Sequence, residues 1–480
     1  MRLGWAGALL LAGCTVGPNF HAPDPGAPAS WGTVRADVPS QTSTNEADPQ
    51  WWTQFGDPVL SSLVTRIAAE NLDLQTAAER VLQGRAQRDV VASQGLPQVS
   101  GRSSYERDRL STVGNPAALV VPRPGAPVEF DVYQNGLSSS WDLDLFGRVR
   151  RGVESANAET QAAAEDRRGI ALAALADLVQ DYLQLRGIQA ARAIAERNLA
   201  IAQQNTGLVR NRFDNGVATT LDTARALSQQ STIAATVPPL RAQEAATINA
   251  IGLLLGQAPR ALEAELRPRA VQPGVPAVVP VGLPSTLVRR RPDLRRAEAR
   301  LHAATAQIGV ATAEFYPNVT LTGSFELQGL RFRDAFSLYA RAFEVGPSIS
   351  VPIFQGGRLR ATLRLRESEQ REAAINFRRT LLQAWQEVDN ALTAYAEAQA
   401  RRKQVADAVA QNEVVLRAAQ QRYVEGAVGF LDVNVAQSQL LQSQNDLADS
   451  DTRIAAGLVA LYRALGGGWE IAEGGRAPGR

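Results

Sequence analysis

Residues 212–222 read RFDNGVATTLD, and residues 422–432 read RYVEGAVGFLD. The two stretches lie 210 positions apart and share an arginine, an aromatic residue, a glycine and a closing Leu-Asp pair. A repeat over so long a distance is typical of a supersecondary unit that cannot bury its apolar face alone. The sequence therefore predicts one architectural unit that the chain builds twice.

A second pair of segments supports the duplication. Leu96-Pro97-Gln98-Val99 returns as Tyr316-Pro317-Asn318-Val319, now 220 positions apart, so the copies differ in the length of one loop. Proline disfavours helix in the residue before it, so both segments mark a change from helix to strand. Gly147 and the pair Gly356-Gly357 mark the return to helix. The predicted order is helix, strand, strand, helix, turn, helix, and then the same again.

Long helices are predicted on both sides of each repeated turn. No proline occurs from Arg148 to Arg212, and apolar residues recur there and in the copy, residues 358–423, at helical spacing. At 1.5 Å per residue, such a run reaches roughly 100 Å. Heptad seams, which are typical of coiled coils, consist of Leu60, Ile67, Leu74 and Val81 and of Val433, Leu440, Leu447, Ile454 and Leu461. On the helices alone, a structural coiled coil explains the pattern as well as a channel does.

Four further segments alternate between apolar and polar residues, as half-buried strands do. They are residues 98–106, 137–145, 318–327 and 348–353. The polar face of the first two carries Arg102, Glu106, Asp142 and Asp144. A sheet on a soluble core is the alternative, but no amphipathic helix is left over to cover it. Strands of about ten residues with aromatic side chains are typical of lipid-facing barrel segments.

A sheet in lipid must close, because open edges leave backbone groups without hydrogen bonds. Four strands per chain are too few, since about eight strands make the smallest useful barrel. The chain is therefore predicted to oligomerise and to share the barrel between subunits. Two or three copies would supply eight or twelve strands, and three copies give the wider passage.

Composition argues against several classes of protein. The 50 basic and 48 acidic residues leave a formal net charge of +2, which disfavours a nucleic-acid binder. His21 and His302 have no metal-ligand neighbour in the sequence, and the single Cys14 allows no disulfide within the chain. No catalytic constellation, metal site or cofactor site is predicted, so the chain is not expected to be an enzyme. No apolar run reaches the roughly 18 residues of a membrane-spanning helix.

The amino end has the features of a secretory signal. Arg2 precedes an apolar stretch, residues 3–10, and small residues come directly before Cys14. The alternative is the first turns of a buried helix. The small residues before Cys14 resemble a bacterial lipobox, which implies that Cys14 becomes the acylated first residue. Thr15 follows it, and by the same resemblance the lack of Asp there implies sorting to the outer membrane.

The chain as a whole closely resembles the TolC-like outer-membrane channels of tripartite efflux systems, in particular the lipoprotein branch that serves resistance-nodulation-division pumps. Besides the duplicated turns, the marks of this resemblance are Gly13–Phe20, Trp51-Trp52, Phe55–Pro58 and Arg289–Asp293. The resemblance implies a mainly α chain whose homotrimer forms an α-helical barrel across the periplasm and a shared twelve-stranded β-barrel in outer-membrane lipid. It also implies passive export of small molecules, such as drugs and toxic compounds, from an inner-membrane pump and a periplasmic membrane-fusion adaptor.

The expected organisation combines these arguments. The predicted segments are a lipoprotein signal peptide (1–13), a lipid-anchored Pro-rich tether (14–50), a first efflux repeat (51–267), a Pro-rich linker (268–284), a second efflux repeat (285–467) and a flexible tail (468–480). The rival interpretation is a lipid-anchored periplasmic coiled-coil scaffold or adaptor without a pore. An adaptor carries one hairpin beside a β domain, whereas this chain has two hairpins, each paired with strands.

The resemblance also assigns a gate and adaptor docking to the hairpin tips. The docking residues that it implies are Gly216, Val217, Ala218, Thr219, Gly426, Ala427, Val428 and Gly429. Asp432 matches an acidic position at the constriction of related channels, and its duplicate Asp222 is either a second gate residue or a solvated helix residue. Val435 stands where TolC-type members carry another aspartate, and Val428 replaces a tip arginine. One acidic ring from Asp432, or an apolar plug, is therefore expected, and such a ring would favour cations.

Overall fold

The computed structural model describes residues 15–32, 38–109, 129–268 and 272–473. Cys14, the predicted lipidation site, lies outside these residues. The contacts between Cα atoms divide the chain into two compact units. The first unit contains the described residues up to Pro23 together with Leu82–Ala162 and Glu298–Asn376, and the second contains the other described residues.

The helices and strands follow the predicted order twice, which confirms the duplicated unit. In chain order they are β1 (Gln41–Ser43), α1 (Pro58–Glu70), α2 (Leu72–Ser93), β2 (Gln98–Arg109), β3 (Glu129–Asp142), α3 (Arg148–Asp214), α4 (Thr220–Leu254), α5 (Glu263–Leu266), β4 (Val278–Pro280), α6 (Leu287–Arg290), α7 (Pro292–Ala313), β5 (Asn318–Gly329), β6 (Arg341–Ser350), α8 (Arg358–Val424) and α9 (Phe430–Leu465).

The first unit contains one antiparallel four-stranded sheet in the order β2-β3-β5-β6. Its register places the polar residues Ser100, Ser138, Ser324 and Glu344 side by side on one face, and apolar residues alternate with them. β3 belongs to the first repeat and β5 to the second, so the sheet joins the two repeats. Among the described residues, β2 and β6 each pair on one side only.

The predicted strand of residues 137–145 is wrong at its end, because β3 ends at Asp142. Asp144 has a left-handed backbone with a φ of 44°. Its carboxylate accepts hydrogen bonds from the Val149 and Arg150 amides, each at 2.9 Å. Asp144 therefore caps the start of α3 and does not lie on the solvent-facing side of a strand. Alternation could not reveal this, since a capping aspartate and a solvated strand aspartate look alike in sequence.

The core of the second unit is apolar and partly aromatic. Trp51 is fully buried and stacks on Tyr462, with ring centroids 5.0 Å apart. This core includes four residues of the heptad seams, Leu60, Ile67, Ile454 and Leu461. Leu74 and Val81 of the first seam are buried but are not among its residues, and Leu447 of the second seam is only half-buried. The first seam crosses a break at Asn71, whose side-chain oxygen accepts from the Leu74 amide at 2.9 Å and begins a new helix. None of the described helices combines the length and apolar composition of a membrane-spanning helix.

Segments that were expected to lack regular structure take part in packing. β1 comes from the predicted tether and β4 from the predicted linker, and they pair as parallel strands. Residues 468–473 were assigned to the flexible tail, but residues 469–473 form a short 3-10 helix. The Trp469 indole donates to the Arg290 carbonyl oxygen at 3.0 Å, and the Arg168 guanidinium lies 4.7 Å from the Trp469 ring centroid. A flexible tail was predicted here, but one tryptophan can bury a large apolar area, and Trp469 packs residues 469–473 against the protein.

Candidate functional site at the hairpin tips

Each predicted tip ends its first long helix with a left-handed glycine. Gly216 has a φ of 75° and Gly426 a φ of 76°. In the first tip, the Val217 amide donates to the Arg212 carbonyl oxygen at 2.8 Å, and the Gly216 amide donates to that of Phe213 at 2.8 Å. This is a Schellman cap, and the second tip repeats its bonds. Apart from the adjacent residues of the chain, no described atom lies within 4 Å of a Cβ added at either glycine, so the backbone angle and not crowding requires glycine.

The second helix of each hairpin begins differently in the two repeats. Thr219 and Asp222 form a capping box, in which the Asp222 carboxylate accepts from the Thr219 amide at 3.1 Å and from its hydroxyl at 2.7 Å. Gly429 begins α9 without a side-chain cap. Asp432 is exposed, and within the described part of the chain its carboxylate has no hydrogen-bond or ion-pair partner. The two repeat-related aspartates therefore differ: the Asp222 carboxylate is part of a capping box, and the Asp432 carboxylate has no such partner among the described residues.

Arg212 fastens the first tip to the second hairpin. Its guanidinium lies 4.8 Å from the centroid of the Tyr423 ring and donates to the carbonyl oxygens of Tyr423 and Val424, at 3.2 and 3.1 Å. These carbonyls belong to the last turn of α8, where the helix dipole favours a cation. The Tyr423 ring also meets Phe430 edge to face at 5.6 Å. Burial raises the pKa of Tyr423 despite the nearby Arg212.

An apolar cluster next to the turns holds the two hairpins together. It consists of Val209, Ala226, Leu416, Tyr423, Phe430, Val433, Ala436 and Leu440. Ala218 and Val428 pack against it. The other six residues of the predicted docking set are exposed. Adaptor docking by these residues remains a prediction.

Buried side-chain amides, which were not among the residues predicted for the site, link α3 and α9 beyond this cluster. Asn205 donates to Gln437 at 2.9 Å, and Asn198 donates to Gln444 at 2.9 Å. From the first pair to the second, α3 moves back by seven residues and α9 moves forward by seven, as expected for antiparallel helices. Asn205, Asn198 and Gln437 are buried. Amides in heptad register with the apolar seam of α9 were the available signal.

No group of three or more His, Cys, Asp or Glu side chains within the described ranges could hold a metal ion. His302 instead faces Glu154 at 3.0 Å and stacks on Phe20, with ring centroids 4.5 Å apart. The tips themselves present a capped backbone, an exposed Asp432 carboxylate and an apolar cluster.

Comparison with known proteins gives the class of this protein. The family model described as outer membrane efflux protein matches residues 63–257 and 283–467. The chain belongs to this family, whose members are channel proteins of the outer membrane.

Individual relatives align in sequence with nearly the whole of this chain. The toluene efflux pump outer membrane protein TtgF of Pseudomonas putida is 33% identical over 474 residues, which cover 96% of each protein. Nodulation protein T of Rhizobium leguminosarum bv. viciae is 32% identical and covers 96% of this chain and 92% of its own length.

Among solved structures, that of the outer-membrane channel OprN has a TM-score of 0.85 at 35% identity, over 95% of this chain and 100% of that one. The channel CmeC of Campylobacter jejuni, at 20% identity, has the same fold with a TM-score of 0.84. The chain described here is an outer-membrane efflux channel protein, which confirms the predicted class and location.

Proposed function

We propose that three copies of this chain form a passive duct through which an inner-membrane pump exports small molecules. The observation that carries the proposal is the four-stranded sheet, in which β2 and β6 each have one edge that no other described strand pairs with. Its apolar face is exposed, with Phe343 and Val345 at 74% and 73%. Lipid suits such a face, and lipid requires that the edges be paired. Three copies supply twelve strands and close the ring.

The hairpin tips gate this duct. Threefold symmetry places three Asp432 carboxylates around one axis, where negative charge concentrates in a narrow neck. The unengaged Asp432 side chain supports this role, whereas the capping bonds of Asp222 favour a structural role for that residue. Val428 and Ala218 pack into the cluster next to the turns and keep the tips together.

Docking and partners follow from the exposed tip residues and from the relatives. TtgF and its neighbours in sequence are named as outer-membrane proteins of efflux pumps for toluene, solvents or antibiotics. We assign this chain a periplasmic membrane-fusion adaptor and a pump of the resistance-nodulation-division type, with small molecules of this kind as cargo. The adaptor contacts the exposed tip residues, Gly216, Val217, Thr219, Gly426, Ala427 and Gly429.

A lipid anchor at Cys14 completes the proposal. The residues directly after it are held by the first unit, since the Arg151 guanidinium donates to the Val16 carbonyl oxygen at 3.1 Å and to the Asn19 side chain at 2.8 Å. The Val16 amide donates to the Phe146 carbonyl oxygen at 3.3 Å, next to the end of β3. The described residues that follow the proposed anchor thus lie next to the end of the sheet that we assign to lipid.

Conductance in planar bilayers tests the proposal against the scaffold interpretation. The full-length protein, purified from outer membranes, is expected to run as a heat-modifiable trimer and to insert discrete channels. A pore-free scaffold would give neither. A monomer that never partitions into bilayers would refute the proposed duct.

A further inference from the structure

The sheet joins the two repeats inside one chain, and the junction continues beyond the strands. After β3 ends, the Leu143 amide still donates to the Val319 carbonyl oxygen at 3.0 Å. Phe146 then stacks on Tyr316, with ring centroids 4.7 Å apart and ring planes 21° apart. An aromatic contact therefore closes the pairing of the first repeat with the second, where the strands give way to helices.

The duplication provides a counterpart for both members of this stack. Tyr316 corresponds to Leu96, because each precedes the proline that begins the first strand of its repeat. Phe146 corresponds to Phe354. The runs LDLFG, residues 143–147, and VPIFQGG, residues 351–357, each lie between the second strand of a repeat and the arginine that begins its long helix. A second contact of the same kind would join Phe354 to Leu96.

Within the described part of a single chain, this second contact is not made. The Phe354 side chain is 87% exposed, its neighbour Ile353 is 94% exposed, and Leu96 is 61% exposed. β6 leads to the first two and β2 starts just after the third, and these strands are the two open edges of the sheet. Water-exposed apolar side chains of this size, in line with unpaired backbone, indicate an interface.

The open edges are complementary in direction. All three pairings in the sheet are antiparallel, so β6 can accept β2 of a second copy and continue the alternation. The pairs Gln98–Ser140 and Asn318–Ser350 show that the start of β2 and the end of β6 lie at the same end of the sheet. A second copy of this chain therefore brings both a strand edge and an exposed Leu96 to the right place.

We propose that Phe354, with Ile353 beside it, packs on Leu96 of a second copy and so repeats between copies the contact that Phe146 makes with Tyr316 within one. The inference rests on the proposed homotrimer and adds the residues that secure its closure at the junction of strands and helices. Binding energy concentrates in such large, buried side chains rather than evenly over an interface.

Cysteine cross-linking of the full-length protein in outer membranes tests the contact. Leu96→Cys and Phe354→Cys are combined in one chain with Cys14 retained, and the membranes are treated with a short bismaleimide. Covalent dimers and trimers are expected on denaturing gels only when both substitutions are present. The single variants set the background from Cys14. The matched control combines Leu96→Cys with Tyr339→Cys, because Tyr339 is fully exposed but lies before the other end of β6.

The outcomes separate this inference from the proposed function. A heat-modifiable trimer that gives no more product for the 96–354 pair than for the control pair would overturn the inference and leave the trimer intact. Absence of any trimer in untreated wild-type membranes would overturn both. As a second measurement, Phe354→Ala is expected to lower the temperature at which the trimer dissociates on gels, while Tyr339→Ala leaves it unchanged. Equal shifts for the two variants would contradict the contact.

Discussion

The Arg212 guanidinium lies 4.8 Å from the ring centroid of Tyr423. The tip of the first hairpin therefore contacts the end of α8, the helix that leads into the second tip. Arg212 also donates to two carbonyl oxygens there. The repeat-related Arg422 is exposed. The repeat thus contains one arginine that joins the two hairpins and one that faces solvent. A substitution of Arg422 is therefore a matched control for the same substitution of Arg212.

Replacement of Arg212 by alanine is expected to open the resting channel. The cation–π contact and the two hydrogen bonds together stabilise the tips by about 1–3 kcal/mol. Resting conductance in planar bilayers, and the sensitivity of cells to antibiotics too large for porins, should both increase by about tenfold. Arg422→Ala should leave both unchanged. Equal effects of the two variants would show that charge at the tips matters and the contact with Tyr423 does not.

Replacement of Asp432 by alanine is expected to reduce the cation selectivity of the channel and its block by multivalent cations. The reason is the loss of three carboxylates from one neck. Asp222→Ala should instead cost about 1 kcal/mol of stability, because it removes a capping box, and should leave selectivity unchanged. Reversal potentials and blocker titrations in bilayers distinguish the two variants. If Asp432→Ala keeps both properties of the wild type, the acidic gate is abandoned.

The buried amides between α3 and α9 are expected to couple energetically. Asn205→Leu leaves the Gln437 oxygen without its donor, which costs about 1–3 kcal/mol. The double variant Asn205→Leu with Gln437→Leu should recover part of this loss, because the donor and the acceptor of this hydrogen bond are then removed together. Thermal unfolding of the two single variants and the double variant gives the coupling energy. Additive losses would mean that the hydrogen bond adds nothing beyond the separate side chains.

Tyr462 predicts a loss of stability in alkali. Burial, the largest cause, raises its pKa from 10.0 to about 12. The folded protein thus keeps this proton where the unfolded chain loses it. Stability is full below pH 10 and falls between pH 10 and about 12, by at most about 1.4 kcal/mol per pH unit.

The Tyr462→Phe variant provides the check, since its chain has no such proton to lose. Chemical unfolding at a series of pH values should show a smaller alkaline loss for the variant than for the wild type. Tyr339→Phe is the matched control, because Tyr339 is fully exposed. Parallel curves for all three proteins would contradict the assignment of the alkaline loss to Tyr462.

Lipidation at Cys14 predicts that cells fed labelled palmitate will label the wild-type protein and not the Cys14→Ser variant. A diacylglyceryl thioether on the sulfur and an acyl amide on the amino group would both be attached at this cysteine, which is the only one in the chain. Extraction from outer membranes and bilayer conductance should persist in the variant if the strands alone can span lipid. Persistent labelling of Cys14→Ser would contradict the predicted anchor.

The large features of the fold were predictable because they repeat. Pro97 and Pro317 marked the change from helix to strand, and Gly147 marked the return. The turns at Gly216 and Gly426 needed only the left-handed angles that glycine favours. Local backbone preference, heptad spacing and alternation are properties of neighbouring residues, so the sequence shows them directly.

The positions of the two turns were predictable, but the contacts of their side chains were not. Asp222 and Asp432 look equivalent in the repeat, and only the structure shows that Thr219 engages one of them. Asp144 looked like a strand residue and caps a helix. These differences depend on atoms brought together by a turn, which alternation and spacing do not describe.

By itself the sequence determined the duplicated unit, the helix and strand order and the glycine turns, since these depend on local preference and repetition. The class of channel came from the resemblance of the chain to a known family. The tertiary structure alone decided which copy of each repeated residue acts. Arg212 and not Arg422 joins the hairpins, and Phe146 but not Phe354 finds its partner within the chain. The physical reason is that folding places the two halves in different surroundings, so identical residues meet different neighbours.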